Sequence, residues 1–177
     1  MNLSLIGYRG AGKTTIAARL AERLGWAWLD ADDELEKRAG RTIADIFAVD
    51  GESVFRDLEA EIAAELSSRA KVVLAWGGGV VLREENRRCI RAGGRVAWLQ
   101  VLPATVHARI QADRSTADRR PALTSAGGLA EIEQLLASRH PLYQACADWE
   151  FVTDDRSPDE IAQAIYDRWR QAEETSC

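Results

Sequence analysis

A glycine-rich segment near the amino terminus has the residue types and spacing of a phosphate-binding loop. Residues 7–14 read GYRGAGKT and match the pattern GxxxxGK[S/T], between a predicted strand, Asn2–Ile6, and a predicted helix, Lys13–Leu24. In that setting, backbone N–H groups and the helix amino terminus bind phosphate oxygens, the lysine reaches the outer phosphates and the threonine can ligate Mg²⁺. We therefore predict a nucleoside-triphosphate site here. A chance glycine-rich turn is disfavoured because both flanking elements are predicted.

Motifs that would indicate a switch or a motor protein are missing from the sequence. No aspartate lies three residues before any of the 13 glycines, so the DxxG motif of GTPase switches is absent. Neither Asn2 nor Asn86 begins the NKxD motif that reads guanine. The apolar run Val72–Trp76 continues into Gly77, where mechanical ATPases commonly have an acidic residue. These absences disfavour both classes.

Two aspartates, Asp30 and Asp32, follow the predicted strand Trp26–Leu29. Residues i and i+2 of an extended chain point the same way, so both carboxylates are expected to face a cleft at the carboxyl edge of the sheet. One carboxylate would hold Mg²⁺ through water, and the other would orient or deprotonate an acceptor hydroxyl. The alternative is that either aspartate caps a helix that begins near Asp33.

Several short motifs occur in order along almost the whole chain, from Leu3 to about Trp169. They are Gly10-Ala11-Gly12-Lys13-Thr14-Thr15, Asp30-Ala31-Asp32, Phe55-Arg56-Asp57-Leu58-Glu59, Gly77-Gly78-Gly79, Arg120-Pro121 and Arg139-His140-Pro141-Leu142-Tyr143. In order and spacing this set resembles the motifs of the shikimate kinase family. The resemblance is specific because several unrelated motifs agree, whereas the phosphate loop alone is shared by many functions.

The resemblance implies both a fold and a reaction. The fold is that of nucleoside-monophosphate kinases: a three-layer αβα P-loop kinase with a five-stranded parallel sheet, a helical substrate-binding region and a mobile lid. The reaction is transfer of the γ-phosphoryl group of ATP to the 3-hydroxyl of shikimate, which gives shikimate 3-phosphate. This is a step of chorismate and aromatic amino acid biosynthesis. ATP would be the co-substrate and Mg²⁺ the cofactor.

The resemblance also implies roles for individual residues. The catalytic residues would be Lys13, Asp32, which faces the acceptor hydroxyl, and Arg120, which reaches the phosphates from the lid. Thr14 and Asp30 would lie around Mg²⁺. The expected ATP contacts are Gly10, Ala11, Gly12, Lys13, Thr14, Thr15, Arg120 and Arg156, and the expected shikimate contacts are Asp32, Arg56, Gly78 and Arg139.

Some of these residues have plainer interpretations. Glu59 lies three positions after Arg56 on a predicted helix, where it would fix the guanidinium or form only a surface ion pair. The triplet Gly77–Gly79 permits close backbone approach to a ligand, but it is also compatible with an ordinary turn. Arg120 is favoured over Arg119 because it directly precedes Pro121. It is also compatible with a solvated charge on a loop.

The sequence departs from the family pattern at a few positions. Trp76 stands before the glycine triplet, where the family usually has a small or hydroxylated residue, and Pro121-Ala122-Leu123 replaces Pro-Leu-Leu. Trp76 could reshape the floor of the substrate site. For Trp76, Trp26 and Trp28 the alternative is core packing. The two histidines, His107 and His140, lie in no motif typical of metal binding or nucleophilic catalysis, so we expect both to be structural.

Alternating strand and helix patterns are expected to position these residues in one α/β domain over residues 1–177. Further strands are predicted over 71–76, 95–101 and 149–152, and further helices over 52–68, 83–91, 105–112, 129–145 and 158–170. Such alternation is typical of a mainly parallel sheet covered on both faces. The substrate-binding region is expected at about 31–60. The lid is expected at about 112–125, in an irregular stretch that could instead be a disordered surface loop.

Composition restricts the partners and the compartment. The chain has 177 residues, 46% of them hydrophobic, and a formal charge of −5, which argues against nucleic acid and an anionic membrane surface as partners. It does not exclude a small anionic ligand. Three widely spaced cysteines indicate neither a disulfide framework nor a zinc site, and the amino terminus resembles a first strand rather than a targeting signal. We expect a cytoplasmic monomer that binds shikimate and ATP.

Two other functions remain open. The first is another small-molecule kinase of similar fold, such as a gluconate or nucleotide kinase. The second is an ATP-binding regulatory module that has lost catalysis. The presence of Lys13, Asp32 and Arg120 argues against the second function.

Overall fold

The computed structural model describes residues 1–112 and 128–175. The strands are β1 (Asn2–Ile6), β2 (Ala27–Asp30), β3 (Val72–Ala75), β4 (Gly94–Gln100) and β5 (Trp149–Val152). The described helices are α1 (Lys13–Leu24), α2 (Ala31–Ala39), α3 (Ile43–Val49), α4 (Gly51–Ser67), α5 (Glu84–Gly93), α6 (Pro103–Ala112), α7 (Leu129–Cys146) and α8 (Pro158–Thr175), with a 3₁₀ turn at Val80–Leu82.

The five strands form one parallel sheet in the order β2-β3-β1-β4-β5. The predicted α/β class and the five-stranded parallel sheet are therefore confirmed. In this order β1 lies at the centre, between β3 and β4. Because all strands run the same way, the loops that follow β1, β2 and β3 meet at one edge of the sheet.

Two apolar cores lie on opposite faces of the sheet and explain the layered architecture. Side chains of β1 point alternately to the two faces of the sheet: Leu3 and Leu5 pack in one core, and Ile6 packs in the other. The first core packs α1, α6, α8 and the beginning of α7 against the sheet, and the second packs α2 to α5 and the end of α7. The sheet is thus covered on both faces, as predicted.

The predicted strands and most predicted helix bounds agree with the structure to within about two residues. The largest difference is at α8, which continues to Thr175 rather than ending near Arg170. Ser157 caps the start of this helix: the Ser157 hydroxyl accepts from the Glu160 N–H at 3.3 Å, and the Glu160 carboxylate accepts from the Ser157 N–H at 2.8 Å. Helices α2 and α3 fall within the region expected to be helical from the family resemblance.

Among the described residues, no helix combines the length and apolar character that crossing a bilayer would require.

Candidate active site

The phosphate loop joins β1 to α1 in a conformation that depends on glycine. Gly10 and Gly12 have φ angles of +78° and +87°, which side-chain-bearing residues rarely adopt. The Ala11 N–H donates to the Tyr8 carbonyl at 3.2 Å, which closes a tight turn. The Lys13 ammonium donates to the carbonyls of Gly7 and Tyr8, both at 2.9 Å. The loop therefore holds its lysine folded back over the site at the amino terminus of α1.

Asp30 ends β2 and links the phosphate loop to α2. Its Oδ2 accepts from the Thr14 hydroxyl at 2.7 Å, and its Oδ1 accepts from the Asp32 N–H at 3.0 Å, so Asp30 is the N-cap of α2. Burial raises the pKa of this carboxyl, and the nearby Asp32 charge raises it further. The capping alternative is therefore correct for Asp30, but capping leaves it in contact with Thr14.

The pair Thr14 and Asp30 fits a magnesium ion. Both offer oxygen ligands, and Mg²⁺ typically uses one or two protein oxygens together with water and phosphate. A cation here would also offset the unfavourable burial of the Asp30 charge. The residues described contain no group of three or more His, Cys, Asp or Glu side chains arranged for a metal.

The expected geometry of the aspartate pair is wrong at Asp32. The extended chain ends at Asp30, and Asp32 lies in the first turn of α2. The helix begins at once because the Asp30 carboxylate satisfies one of its free N–H groups. Asp32 is thus at the carboxyl edge of the sheet, as expected, but the alternation of an extended strand does not orient it.

Arg56 lies on α4 and pairs with two carboxylates, one buried and one exposed. It is 9% exposed, and its Nη1 donates to the Glu59 carboxylate at 2.8 Å, while Glu59 itself is 6% exposed. Its Nη2 donates to the Glu52 carboxylate at 3.0 Å. The Phe55 ring lies 5.0 Å from the guanidinium carbon. The interpretation of Arg56 and Glu59 as a surface ion pair is therefore wrong, since both members are inside the protein.

Arg139 reaches the glycine triplet from α7. It is 7% exposed, and its Nη1 donates to the Gly78 carbonyl at 3.2 Å. The Tyr143 hydroxyl, one helical turn further on, donates to the same carbonyl at 2.6 Å. The Arg139 guanidinium also lies 5.8 Å from the centre of the Tyr8 ring. Two side chains of α7 thus hold Gly78 beside the phosphate loop.

The glycine triplet is where these parts meet. A side chain at Gly79 would collide with the Arg56 guanidinium, because its Cβ atom would overlap Nη1. A side chain at Gly78 would approach the Arg9 backbone N at 3.2 Å. The absence of side chains therefore allows the phosphate loop and two buried arginines to converge on one segment, which is more than an ordinary turn requires.

Other predicted site residues are placed differently. Arg156 lies in the exposed loop after β5, and its Nη2 donates to the Glu160 carbonyl at 3.3 Å. Thr15 lies in the exposed first turn of α1. Arg120 and the expected lid, apart from Ala112, fall outside the described residues.

The tryptophans have separate environments. Trp76 packs in the second core, and its indole N–H donates to the buried Ser4 hydroxyl at 2.9 Å. Trp26 packs edge-on against Trp169, with ring centres 5.1 Å apart. Core packing therefore describes these two residues. It does not describe Trp28, which is 39% exposed.

Two residues of this region were not identified from the sequence. Tyr143 belongs to the motif that begins at Arg139, but the motif implies no role for it, and the structure shows that it binds the Gly78 carbonyl. Arg109 on α6 donates to the Gly10 carbonyl at 2.9 Å and to the Thr153 carbonyl at 3.3 Å. No sequence signal could have identified it, because these partners lie 99 and 44 residues away along the chain.

Comparisons with known proteins agree with this geometry. The family model described as shikimate kinase matches residues 9–170. A shikimate kinase of Rhodopirellula baltica is 44% identical over 164 residues, which cover 93% of this chain and 88% of the relative. A shikimate kinase of Symbiobacterium thermophilum is 40% identical over 171 residues, which cover 97% of each chain.

Solved structures are similar over the same extent. A shikimate kinase of Acinetobacter baumannii in complex with shikimate superposes with a TM-score of 0.90 at 35% identity, covering 97% of this chain and 93% of that one. A shikimate kinase of Bacteroides thetaiotaomicron has a TM-score of 0.81 at 29% identity and covers 98% of each chain. The family model and these relatives show that the chain belongs to the shikimate kinase family.

Proposed function

We propose that this protein transfers the γ-phosphoryl group of ATP to the 3-hydroxyl of shikimate. The observation that carries the proposal is the convergence of the phosphate loop, Arg56 and Arg139 on the triplet Gly77–Gly79. Such a cleft offers a phosphate-binding loop on one side and two guanidinium groups for a carboxylate on the other. Membership of the shikimate kinase family supports the same reaction.

Arg56 and Arg139 would bind the carboxylate of shikimate. Buried guanidinium groups form strong charge-assisted hydrogen bonds with a carboxylate, because little water competes for them. Glu59 holds one nitrogen of Arg56 from inside the protein, whereas the side chain of Glu52 is 57% exposed and contacts two others. A substrate carboxylate would therefore compete with Glu52 rather than with Glu59.

Asp32 would act on the acceptor hydroxyl. In the transfer, the 3-hydroxyl oxygen forms a bond to the γ-phosphorus, the bond to the ADP oxygen breaks, and the hydroxyl proton passes to the Asp32 carboxylate. The amino terminus of α2, where Asp32 lies, is beside Asp30 and therefore beside Thr14.

Charge neutralisation would come from the phosphate side of the cleft. Loop N–H groups, the amino terminus of α1 and Lys13 would bind phosphate oxygens, and Arg120 would add a further positive charge. Thr14 and Asp30 would hold Mg²⁺, and the ion would supply positive charge to neutralise the phosphates. Phosphoryl transfer requires mainly this positioning and electrostatic stabilisation.

The test is an assay of the purified protein with ATP, Mg²⁺ and shikimate. We expect equal amounts of ADP, from a coupled assay, and shikimate 3-phosphate, from mass spectrometry. Gluconate and nucleoside monophosphates in the same assay would identify a kinase of other specificity. Nucleotide binding without turnover of any acceptor would indicate a regulatory module. No product at millimolar shikimate would contradict the proposal.

We also propose that the protein acts as a monomer in the cytoplasm. The proposed cleft is assembled from elements of one chain, so no second copy is needed to complete it. Light scattering coupled to gel filtration should give a mass near 19.5 kDa. A stable mass of twice that value would contradict the monomer.

A further inference from the structure

The three carbonyls of the glycine triplet have different kinds of partner. The Gly77 carbonyl accepts from the Val80 N–H at 3.1 Å, and the Gly79 carbonyl accepts from the Leu82 N–H at 3.0 Å, both within the turn that follows. The buried Gly78 carbonyl lies between them and accepts from side chains of α7, which are 61 and 65 residues further along the chain. The orientation of the middle peptide group is therefore set by a distant helix.

The two side chains that donate to the Gly78 carbonyl are not equivalent. The Tyr143 hydroxyl donates at 2.6 Å, whereas Nη1 of Arg139 donates at 3.2 Å. A carbonyl oxygen has two lone pairs, so both donors fit. Tyrosine has a single O–H group, whereas a guanidinium has five N–H donors in a planar fork that matches a carboxylate. The tyrosine is therefore the short, single-purpose partner of the carbonyl, and the arginine has further donors to offer.

The Tyr143 ring is fixed by its surroundings. It is 0% exposed, and it stacks on the Trp98 ring, with ring centres 5.6 Å apart and planes 21° apart. Trp98 in turn packs edge-on against His140, with ring centres 4.9 Å apart. Tyr143 and Trp98 both belong to the second core. Since side chains in a close-packed core move only if their neighbours repack, the hydroxyl stays at the Gly78 carbonyl.

This fixed hydroxyl matters for what Arg139 can do. A buried carbonyl that loses its hydrogen-bond donor is costly. Without the Tyr143 hydroxyl, Arg139 would be the only donor to the Gly78 carbonyl among the residues that the structure describes. Turning the guanidinium toward a substrate carboxylate would then leave that carbonyl unpaired. With the hydroxyl in place, the carbonyl keeps a partner while Arg139 turns.

We infer that Tyr143 is a positioning residue for the acceptor: its hydroxyl holds the Gly78 carbonyl and so leaves Arg139 able to bind the carboxylate of the substrate. The inference rests on the proposed function, in which Arg139 binds that carboxylate. It adds that the contribution of Tyr143 depends on the presence of a carboxylate in the substrate.

The experiment begins with Tyr143→Phe. This change removes the hydroxyl and keeps the ring that stacks on Trp98. We expect the KM for shikimate to rise about fivefold, because binding the carboxylate now costs the hydrogen bond between Arg139 and the Gly78 carbonyl. The kcat and the Kd for ADP should change less than about twofold, because neither the phosphate loop nor Asp32 is altered.

A second substrate tests the dependence on the carboxylate. In this analogue of shikimate a hydroxymethyl group replaces the carboxylate, so Arg139 has no anion to bind. We expect Tyr143→Phe to lower kcat/KM for shikimate about fivefold and to change kcat/KM for the analogue less than about twofold. A merely structural role of Tyr143 would lower both values equally.

Tyr166→Phe is the matched control. Tyr166 lies on α8 and is partly buried against the first core, on the other face of the sheet from Tyr143. Both substrates should give unchanged kcat/KM values with this variant. Thermal unfolding verifies that each variant is folded. If Tyr143→Phe does not fold, 4-fluorophenylalanine at position 143 fills the volume of the hydroxyl without donating, and the same measurements apply to it.

The outcomes separate this inference from the proposed function. If the unaltered protein does not phosphorylate shikimate, the proposed function fails and the inference fails with it. If the unaltered protein is active and folded Tyr143→Phe has the same KM for shikimate, only the inference is overturned. An equal fall of kcat/KM for shikimate and for the analogue also overturns it.

Discussion

At the scale of single residues, the site depends on polar side chains that are buried and hydrogen-bonded. Arg56 and Glu59 form an ion pair inside the protein, and Arg139 shares the Gly78 carbonyl with Tyr143. A buried charge is costly unless it is paired, so such groups are held in single geometries. The guanidinium groups of Arg56 and Arg139 are therefore held in fixed orientations by the protein itself.

Replacing Asp32 with asparagine should abolish turnover and leave ATP affinity within a few-fold of its original value. The amide keeps the size of the side chain but cannot accept the hydroxyl proton, and its proposed role is toward the acceptor. Single-turnover kinetics and an ADP titration measure the two effects. An equal loss of nucleotide binding would instead assign Asp32 to the metal.

Replacing Arg139 with alanine should mainly raise the KM for shikimate. The Gly78 carbonyl keeps its hydrogen bond from Tyr143 at 2.6 Å, so the glycine triplet should stay in place while one carboxylate partner is lost. Loss of such a charged hydrogen bond predicts a rise of roughly tenfold to a hundredfold.

The control for Arg139 is Arg87→Ala. Arg87 also donates to backbone carbonyls, those of Val81 and Leu82, but it lies on α5. Substrate titrations should show an unchanged KM for this variant. A KM for shikimate that is also unchanged in Arg139→Ala would rule out the proposed role of Arg139.

At the scale of elements, the helix ends determine where functional side chains lie. Asp30 caps α2 and so moves Asp32 from the extended chain into a helix. The hydroxyl of Ser157 and the carboxylate of Glu160 form a capping box that starts α8 directly after the loop carrying Arg156. Capping residues therefore set the boundary between these loops and the helices that follow them.

Replacing Ser157 with alanine should lower the stability of the protein by about 1 kcal/mol, or the Tm by about 2–4 °C. The N–H of Glu160 loses its partner at the start of α8. Ser138→Ala is the control, because that serine lies inside α7 and its hydroxyl donates to the Leu135 carbonyl without capping a helix. Thermal unfolding followed by circular dichroism would reveal whether the two variants differ. Equal Tm values would contradict the proposed cap.

At the scale of the whole molecule, two apolar cores support one cleft at the carboxyl edge of the sheet. The net charge of −5 does not describe that cleft, where Lys13, Arg56 and Arg139 lie close to the glycine triplet and the phosphate loop. Exposed arginines elsewhere pair with surface carboxylates, as Arg88 does with Glu84. The protein therefore combines an acidic surface with a locally basic site.

Labelling of the Cys146 thiol measures how often the second core opens, because Cys146 is buried in that core. Burial raises the pKa of its thiol from 9.0 to about 11. In a Cys89→Ser/Cys177→Ser variant it is the only thiol, and at pH 8 its labelling by an alkylating reagent should be at least roughly a hundredfold slower than in the denatured protein. Rapid labelling of the folded protein at pH 8 would contradict this burial.

The same burial predicts a pH dependence of stability. Because the folded state disfavours the Cys146 thiolate, the free energy of unfolding should fall as the pH rises from about 9 to about 11.

The sequence by itself determined the order of the strands and of most helices, the phosphate loop and the family resemblance. These depend on local information, namely the periodicity of apolar residues, the glycine spacing and short motifs, which a linear pattern records. The tertiary structure decided that Arg56 and Glu59 are buried, that Asp32 lies on a helix and that Arg109 bridges Gly10 and Thr153. These features depend on how distant segments pack, because a hydrogen bond across 99 residues leaves no period and no spacing in the chain.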